Sequence, residues 1–297
     1  MEDAMRVFMA VALTAFTAAL SSGAGAGPSE ERRQCFAREG VSADQKLAAC
    51  TTLIESGRET TQDLAAAFIS RGIAHHNKQD YDSAIRDYDQ VTRIDPGNAI
   101  AFNNRGNSYQ KKALSDHAIQ DYDQAIRLNP KYALAFVNRA VVHRIKGRFD
   151  NAIADCDQAI AINPNFAPAF FGRALSYQDK ARWDFDAYLN EGRYEDRAIQ
   201  DYDQAIRLDP NNAAAFNNRG NAYARRRQYD RAIADYSEAI RLVPNNGATF
   251  NSRGYALRFV GQYDRAIADY RKALTLNIDE ATKKQVETAL KQLGAAS

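Results

Sequence analysis

Side chains able to bind or react recur in this 297-residue chain at a fixed interval. Asn103, Asn104 and Asn107 are matched by Asn217, Asn218 and Asn221, with Asn138 and Asn251 at neighbouring places of the same pattern. A carboxamide carries both donors and an acceptor, so a row of them can grip the backbone of an extended peptide; the same row can also stand solvated with no ligand. Lys111, Arg144, Arg225 and Arg258 add cations suited to an acidic segment or a terminal carboxylate, or to an ordinary solvated face. Neither set makes or breaks a covalent bond. Of the four histidines, His75 and His143 share one place inside the pattern and read as core residues, while His76 and His117 are isolated. The sequence has no phosphate loop, HExxH, nucleophile elbow or CxxC, so no enzyme activity, cofactor, metal or small-molecule substrate is expected.

The elements that position these groups are marked by proline. Pro96, Pro130 and Pro164 are 34 residues apart, Pro210 follows after 46, and Pro244 after another 34. Placing each proline at position 32 of a 34-residue frame gives six units, 65–98, 99–132, 133–166, 167–212, 213–246 and 247–280, the fourth with 12 inserted residues. Position 8 is always tiny (Gly72, Gly106, Ala140, Ala174, Gly220, Gly254) and position 20 always alanine (Ala84, Ala118, Ala152, Ala198, Ala232, Ala266). Two helices approach closely only where neither carries a bulky group, so these places mark the contact within each hairpin. Phe at position 4 and mostly Tyr at position 24 fill beside it. Arg at position 7 (Arg71 to Arg253) and Asp at position 23 (Asp87 to Asp269) occur in all six units, and read as a ladder of exposed ion pairs of modest worth or as a charged binding track.

This spacing, closed by proline, resembles the tetratricopeptide repeat over 216 of the 297 residues. Phe at position 4, in place of the family's frequent Trp, and Ile278 in the last proline slot depart from it. The resemblance implies an all-α fold, an α-solenoid of stacked antiparallel helix hairpins forming a right-handed superhelix, with positions 2, 5, 6, 9, 12 and 13 lining a concave face. The asparagines and the four cations named above fall on that face. The amide row is similar to the asparagine ladder of some members, broken at Gly172, whereas the Lys/Asn/Arg clamp of the chaperone-binding members is not complete here.

Outside the units, 27–64 reads as an arm (27–34) followed by degenerate capping helices, with Ser42 and Gly57 as helix start and stop. Residues 281–297 read as a capping helix with Val286, Ala289, Leu290 and Leu293 on one stripe, ended by Gly294, and a tail. The insertion, about 181–192, carries Trp183 with Phe185 and Tyr188, which either pack a hairpin lengthened by nearly two turns per helix or form a knob for a partner. Residues 1–26 read as a secretory signal with an apolar run at 7–20; a start at Met5 would place Arg6 before it, and an uncleaved anchor is the alternative. Export, into a bacterial periplasm, would let Cys35 and Cys50 form a bridge rather than remain two reduced thiols; Cys156 reads as an apolar filler.

Net charge is +2 with no long basic block, which argues against nucleic acid, and membrane contact is expected only if the signal stays uncleaved. The reading is a non-catalytic scaffold that binds a protein or peptide in the concave groove. Its alternatives are a repeat subunit that positions substrate for a separate enzyme and a self-associating structural protein.

Overall fold

The computed structural model describes residues 29–183 and 191–295, and among them every regular element is an α-helix. The expected signal at 1–26 lies outside the described residues, as do Phe185 and Tyr188 of the insertion. The described residues fall into two compact units that divide between Arg148 and Phe149.

The first unit holds α1 (Glu30–Phe36), α2 (Ala43–Ser56), α3 (Thr61–Asn77), α4 (Tyr81–Ile94), α5 (Ala99–Lys111), α6 (Ser115–Leu128) and α7 (Ala133–Ile145). The supposed arm is already helical from Glu30. Ser29 caps it by accepting from the Arg32 amide at 3.3 Å, and Glu30 and Glu31 place acids in the first turn, where the helix dipole favours them. Cys35 is bridged to Cys50 with the Cα atoms 4.8 Å apart, and both are fully buried beside Leu53 and Ala67. Ser42 and Gln45 form a reciprocal capping box at the start of α2, and Gly57 ends it in the left-handed conformation, φ 63°. Thr60 caps α3, which starts at Thr61, four residues before the frame begins, and is longer at its N-terminal end.

The second unit holds α8 (Phe149–Ile162), α9 (Ala167–Trp183), α10 (Glu191–Leu208), α11 (Ala213–Arg225), α12 (Tyr229–Leu242), α13 (Gly247–Phe259), α14 (Tyr263–Leu274) and α15 (Glu280–Gln292). α9 and α10 have 17 and 18 residues where α11 and α12 have 13 and 14. Each helix thus gains about one turn in its described part, not nearly two, at about 3.6 residues per turn. Trp183 is the last residue of α9, and Asp196 stands at position 18 of the frame once the 12 inserted residues are set aside. Tyr194 stacks on Tyr177 with ring centroids 6.2 Å apart, while Lys180 and Arg197 cover the pair. Asp279 caps α15, which buries Val286, Ala289 and Leu290 against Phe250, Leu257 and Tyr270; Gly294, at φ 69°, follows it.

Within a hairpin the close approach is ring against glycine. A Cβ at Gly72, Gly106, Gly220 or Gly254 would lie 2.7–2.9 Å from Cε1 of Tyr88, Tyr122, Tyr236 or Tyr270. These tyrosines are essentially inaccessible, and a large apolar side chain so buried contributes about 1.5–3 kcal/mol. The alanines at position 20 are likewise fully buried. The turn between the helices of a hairpin needs a left-handed residue at position 15, supplied by Gly147 and Gly261 but also by Gln79, Ala113 and Arg227.

Candidate functional site

The position-7 arginines are the most heavily engaged polar groups. Arg105 donates through Nε and Nη2 to both carboxylate oxygens of Asp121 (2.8 and 2.6 Å) and through Nη1 to Asp89 of the preceding repeat (2.6 Å). Arg173 repeats this with Asp201 and Asp157, and Arg219 with Asp235 and Asp203. Arg139 reaches Asp123 at 2.5 Å. Arg71 and Arg253 pair with Asp87 and Asp269 but find the hydroxyls of Thr51 and Ser237 in place of the second acid. Each guanidinium also lies over the position-4 phenylalanine, 5.2–5.6 Å from its centroid.

This is the ion-pair ladder, with two corrections. It joins successive repeats through position 25 as well as the two helices of one hairpin. Its position-23 acids are buried rather than exposed, with Asp87, Asp121, Asp201, Asp235 and Asp269 side chains only 6–9% accessible. Burial raises the proton affinity of Asp121, Asp201 and Asp235 despite the opposing arginine, so these carboxylates depend on their partners to stay charged. A second, exposed ladder pairs Lys78, Lys112, Lys146, Lys180 and Arg226 with Asp44, Asp82, Asp116, Asp150 and Asp196 of the preceding repeat. Asp82, Asp116, Asp150 and Asp196 all stand at position 18 of the frame, so this ladder repeats with the period as well.

The asparagines divide by burial. Asn103 is fully buried, which removes it from the surface that a partner can touch. Its Oδ1 accepts from Asn138 Nδ2 at 2.9 Å, and its Nδ2 donates to Asn104 Oδ1 at 3.3 Å. Asn104 and Asn138 are 8% and 9% accessible. Asn107 and Asn221 accept from the buried hydroxyls of Tyr122 and Tyr236 at 2.7 and 2.8 Å, so their carbonyl oxygens serve the core. Asn217 accepts from Thr249 at 3.1 Å; Asn218 and Asn251 are half-buried, and the Asn218 main-chain carbonyl accepts from Gln178 at 3.3 Å. At Gly172 the row is interrupted because a Cβ there would come within 3.2 Å of Cys156 Sγ.

Among the cations, Lys111 is exposed and Arg144 half-buried. Arg225 lies 3.5 Å from Glu195, and burial lowers its proton affinity. Arg258 donates to Gln292 at 2.8 Å and stands over Phe259. Trp183 is 74% exposed at the end of α9. His143 is buried as expected, but His75 is half-buried beside Asp80 at 3.4 Å. His76 is not isolated: it is buried, with Nδ1 2.9 Å from Ser108 Oγ, and burial pulls its pKa down to about 4. His117 is exposed and rests against Tyr109. Two exposed rings, Tyr255 and Phe259, with half-buried Tyr229 beside them, escape the sequence reading because no other repeat carries an aromatic at positions 9 and 13.

Among the described residues no group of three His, Cys, Asp or Glu is placed to hold a metal, and no helix is long and apolar enough to cross a membrane. Family models for the TPR repeat match 72–112 and 186–226, and those for the tetratricopeptide repeat match 99–132, 133–166, 213–246 and 248–277. The chain belongs to the tetratricopeptide repeat family. No curated protein matches it. The APC/C hetero-tetramer Cut9–Hcn1 aligns at a TM-score of 0.65 and 19% identity over 83% of this chain, which spans 49% of that one. A tetratricopeptide repeat protein from Parabacteroides merdae gives 0.61 and 16%, covering 84% of this chain and 92% of its own. YrrB, described as a TPR protein with an unusual peptide-binding site, gives 0.51 and 16% over 68% and 97%. At such identities the likeness is one of fold, and the family's repeats are interaction modules.

Proposed function

We propose that this chain is a non-catalytic scaffold whose successive first helices hold an extended peptide or protein segment by its backbone. The observation that carries this is the amide chain Asn138–Asn103–Asn104 in the first compact unit. Asn103 takes one donor from Asn138 and the acceptor of Asn104, which leaves Asn138 Oδ1 and Asn104 Nδ2 at the two ends of a fixed array. A peptide bond needs one acceptor and one donor, and a pre-oriented pair supplies both with little ordering cost. Asn218 and Asn251 extend the same chemistry on the second unit, and the likeness in fold to YrrB is in keeping with it.

The test is a selection of random dodecapeptides on the full chain, followed by comparison with the Asn104→Ala, Asn138→Ala, Asn218→Ala triple variant. With each backbone hydrogen bond worth about 1 kcal/mol net, selected peptides lose at least about tenfold in affinity. Unchanged affinity overturns the proposal. Export into an oxidising compartment is part of the same reading, supported by the apolar stretch at 7–20 and the closed Cys35–Cys50 geometry. Intact mass of the native protein tests it; a product retaining residues 1–26 and two free thiols contradicts it.

A further inference from the structure

The last repeat departs from the amide pattern in a way that bears on what is bound. At position 9 Asn107 and Asn221 serve buried tyrosine hydroxyls, but Tyr255 stands there in the last repeat, 47% exposed. At position 13 Arg225 is followed, one repeat on, by Phe259, 50% exposed. Tyr229 stacks on Phe259 at 4.8 Å with the rings 16° apart, and Tyr255 meets it at 4.8 Å and 52°. Tyr229 is half-buried, and the exposed faces belong to Tyr255 and Phe259; adjacent exposed rings on a folded chain are a mark of an interaction surface.

Cations flank this row. Arg258 lies over Phe259 and its one side-chain acceptor among the described residues is the neutral Gln292. Arg225 has Glu195 at 3.5 Å, beyond hydrogen-bond geometry for a strong pair, and Arg182 adds like charge nearby. Arg225 holds the same place in its repeat, position 13, as Phe259 holds in the next, and the first helices of the two repeats are in contact. Arg219 and Arg253, by contrast, are committed to the buried ladder, and Arg226 to Asp196.

We infer that Tyr229, Tyr255 and Phe259 with Arg225 and Arg258 form a selective subsite for an extended acidic peptide that carries aromatic side chains. The inference rests on the peptide-holding function proposed above and names the side chains that function admits here. Two under-compensated guanidinium groups call for carboxylates, which they bind as planar forks, and the ring row offers stacking partners between them. Single-stranded nucleic acid would also stack on rings, but it requires a basic track along the backbone, and Glu195 and Asp196 interrupt one here.

The probe is a fluorescein-labelled octapeptide that alternates glutamate and tyrosine, titrated against the full chain by anisotropy. Its controls are the lysine-for-glutamate and alanine-for-tyrosine peptides and a dodecanucleotide RNA. Saturable binding is expected for the first peptide alone. It falls at least about tenfold in the Arg225→Gln, Arg258→Gln variant and again in Phe259→Ser, each checked for native helicity by circular dichroism. Equal binding of the lysine peptide, preference for the RNA, or indifference to all three substitutions overturns the subsite. If peptides from the random selection bind through Asn218 while this probe does not, the subsite alone falls. If the selection yields no peptide, the scaffold reading falls with it.

Discussion

Individual side chains set how closely the two helices of a hairpin approach. At position 8 the ring of a position-24 tyrosine rests on a glycine, and a Cβ on Gly106 would meet Tyr122 at 2.8 Å. Helix propensity alone would reward Gly106→Ala by about 0.5–1 kcal/mol, so the two effects oppose each other. Overpacking a rigid ring costs about 1–3 kcal/mol and wins, and urea denaturation should show net destabilisation. A gain in stability would mean that the ring does not lie where it is described. His76 gives a second test. It takes up a proton near pH 6.5 when unfolded and near 4 when folded, so the unfolded chain binds more protons between these values. Stability from this site should therefore be full above about pH 6.5 and fall on acidification, by at most about 3 kcal/mol by pH 4. Urea midpoints at pH 7 and 4.5 should differ more for the native chain than for His76→Gln. Equal differences would contradict the burial of this ring.

At the scale of helices and turns, position 15 is left-handed in five hairpins although only Gly147 and Gly261 are glycines there. Ala113, at φ 59°, bears a Cβ penalty of about 1–2 kcal/mol, which Ala113→Gly should relieve at a smaller entropic cost, for a net gain of about 0.5 kcal/mol. Thermal denaturation checks this, and a loss of stability would place that turn in another conformation. Most helix boundaries were legible: the prolines set the register, Ser42 and Gly57 bracket α2, and Gly294 follows α15. What stayed hidden has a common cause. A period says which residues recur but not which neighbour each can reach, so the Asp89 and Asp123 partners of Arg105 and Arg139 could not be read from spacing. Likewise Asn103 and Asn104 are adjacent amides in the sequence, and only packing shows that the first is wholly inaccessible while the second keeps 8% of its surface. The early start of α1 rests on Ser29, a cap that a run of charged residues obscured.

For the molecule as a whole, stability should be local, because each repeat of a solenoid contacts its neighbours and little else. The Cys35–Cys50 bridge, whose cysteines are 15 apart in sequence, contributes about 3 kcal/mol in the chain-entropy picture. Replacing both cysteines by serine should reduce hydrogen-exchange protection in α1–α3 and leave α14 and α15 unchanged; a uniform loss would show a single cooperative unit. The same modularity permits a division of labour, with amides holding backbone and the rings of the last repeat choosing side chains. The amide row is the central claim, and backbone methylation addresses it most directly. A selected peptide and its N-methylated copies should be compared by calorimetry on the native chain. Methylating one residue at a time should abolish binding at alternate positions while the side chains stay the same. Full affinity in every methylated copy would contradict backbone recognition by Asn104, Asn138 and Asn218.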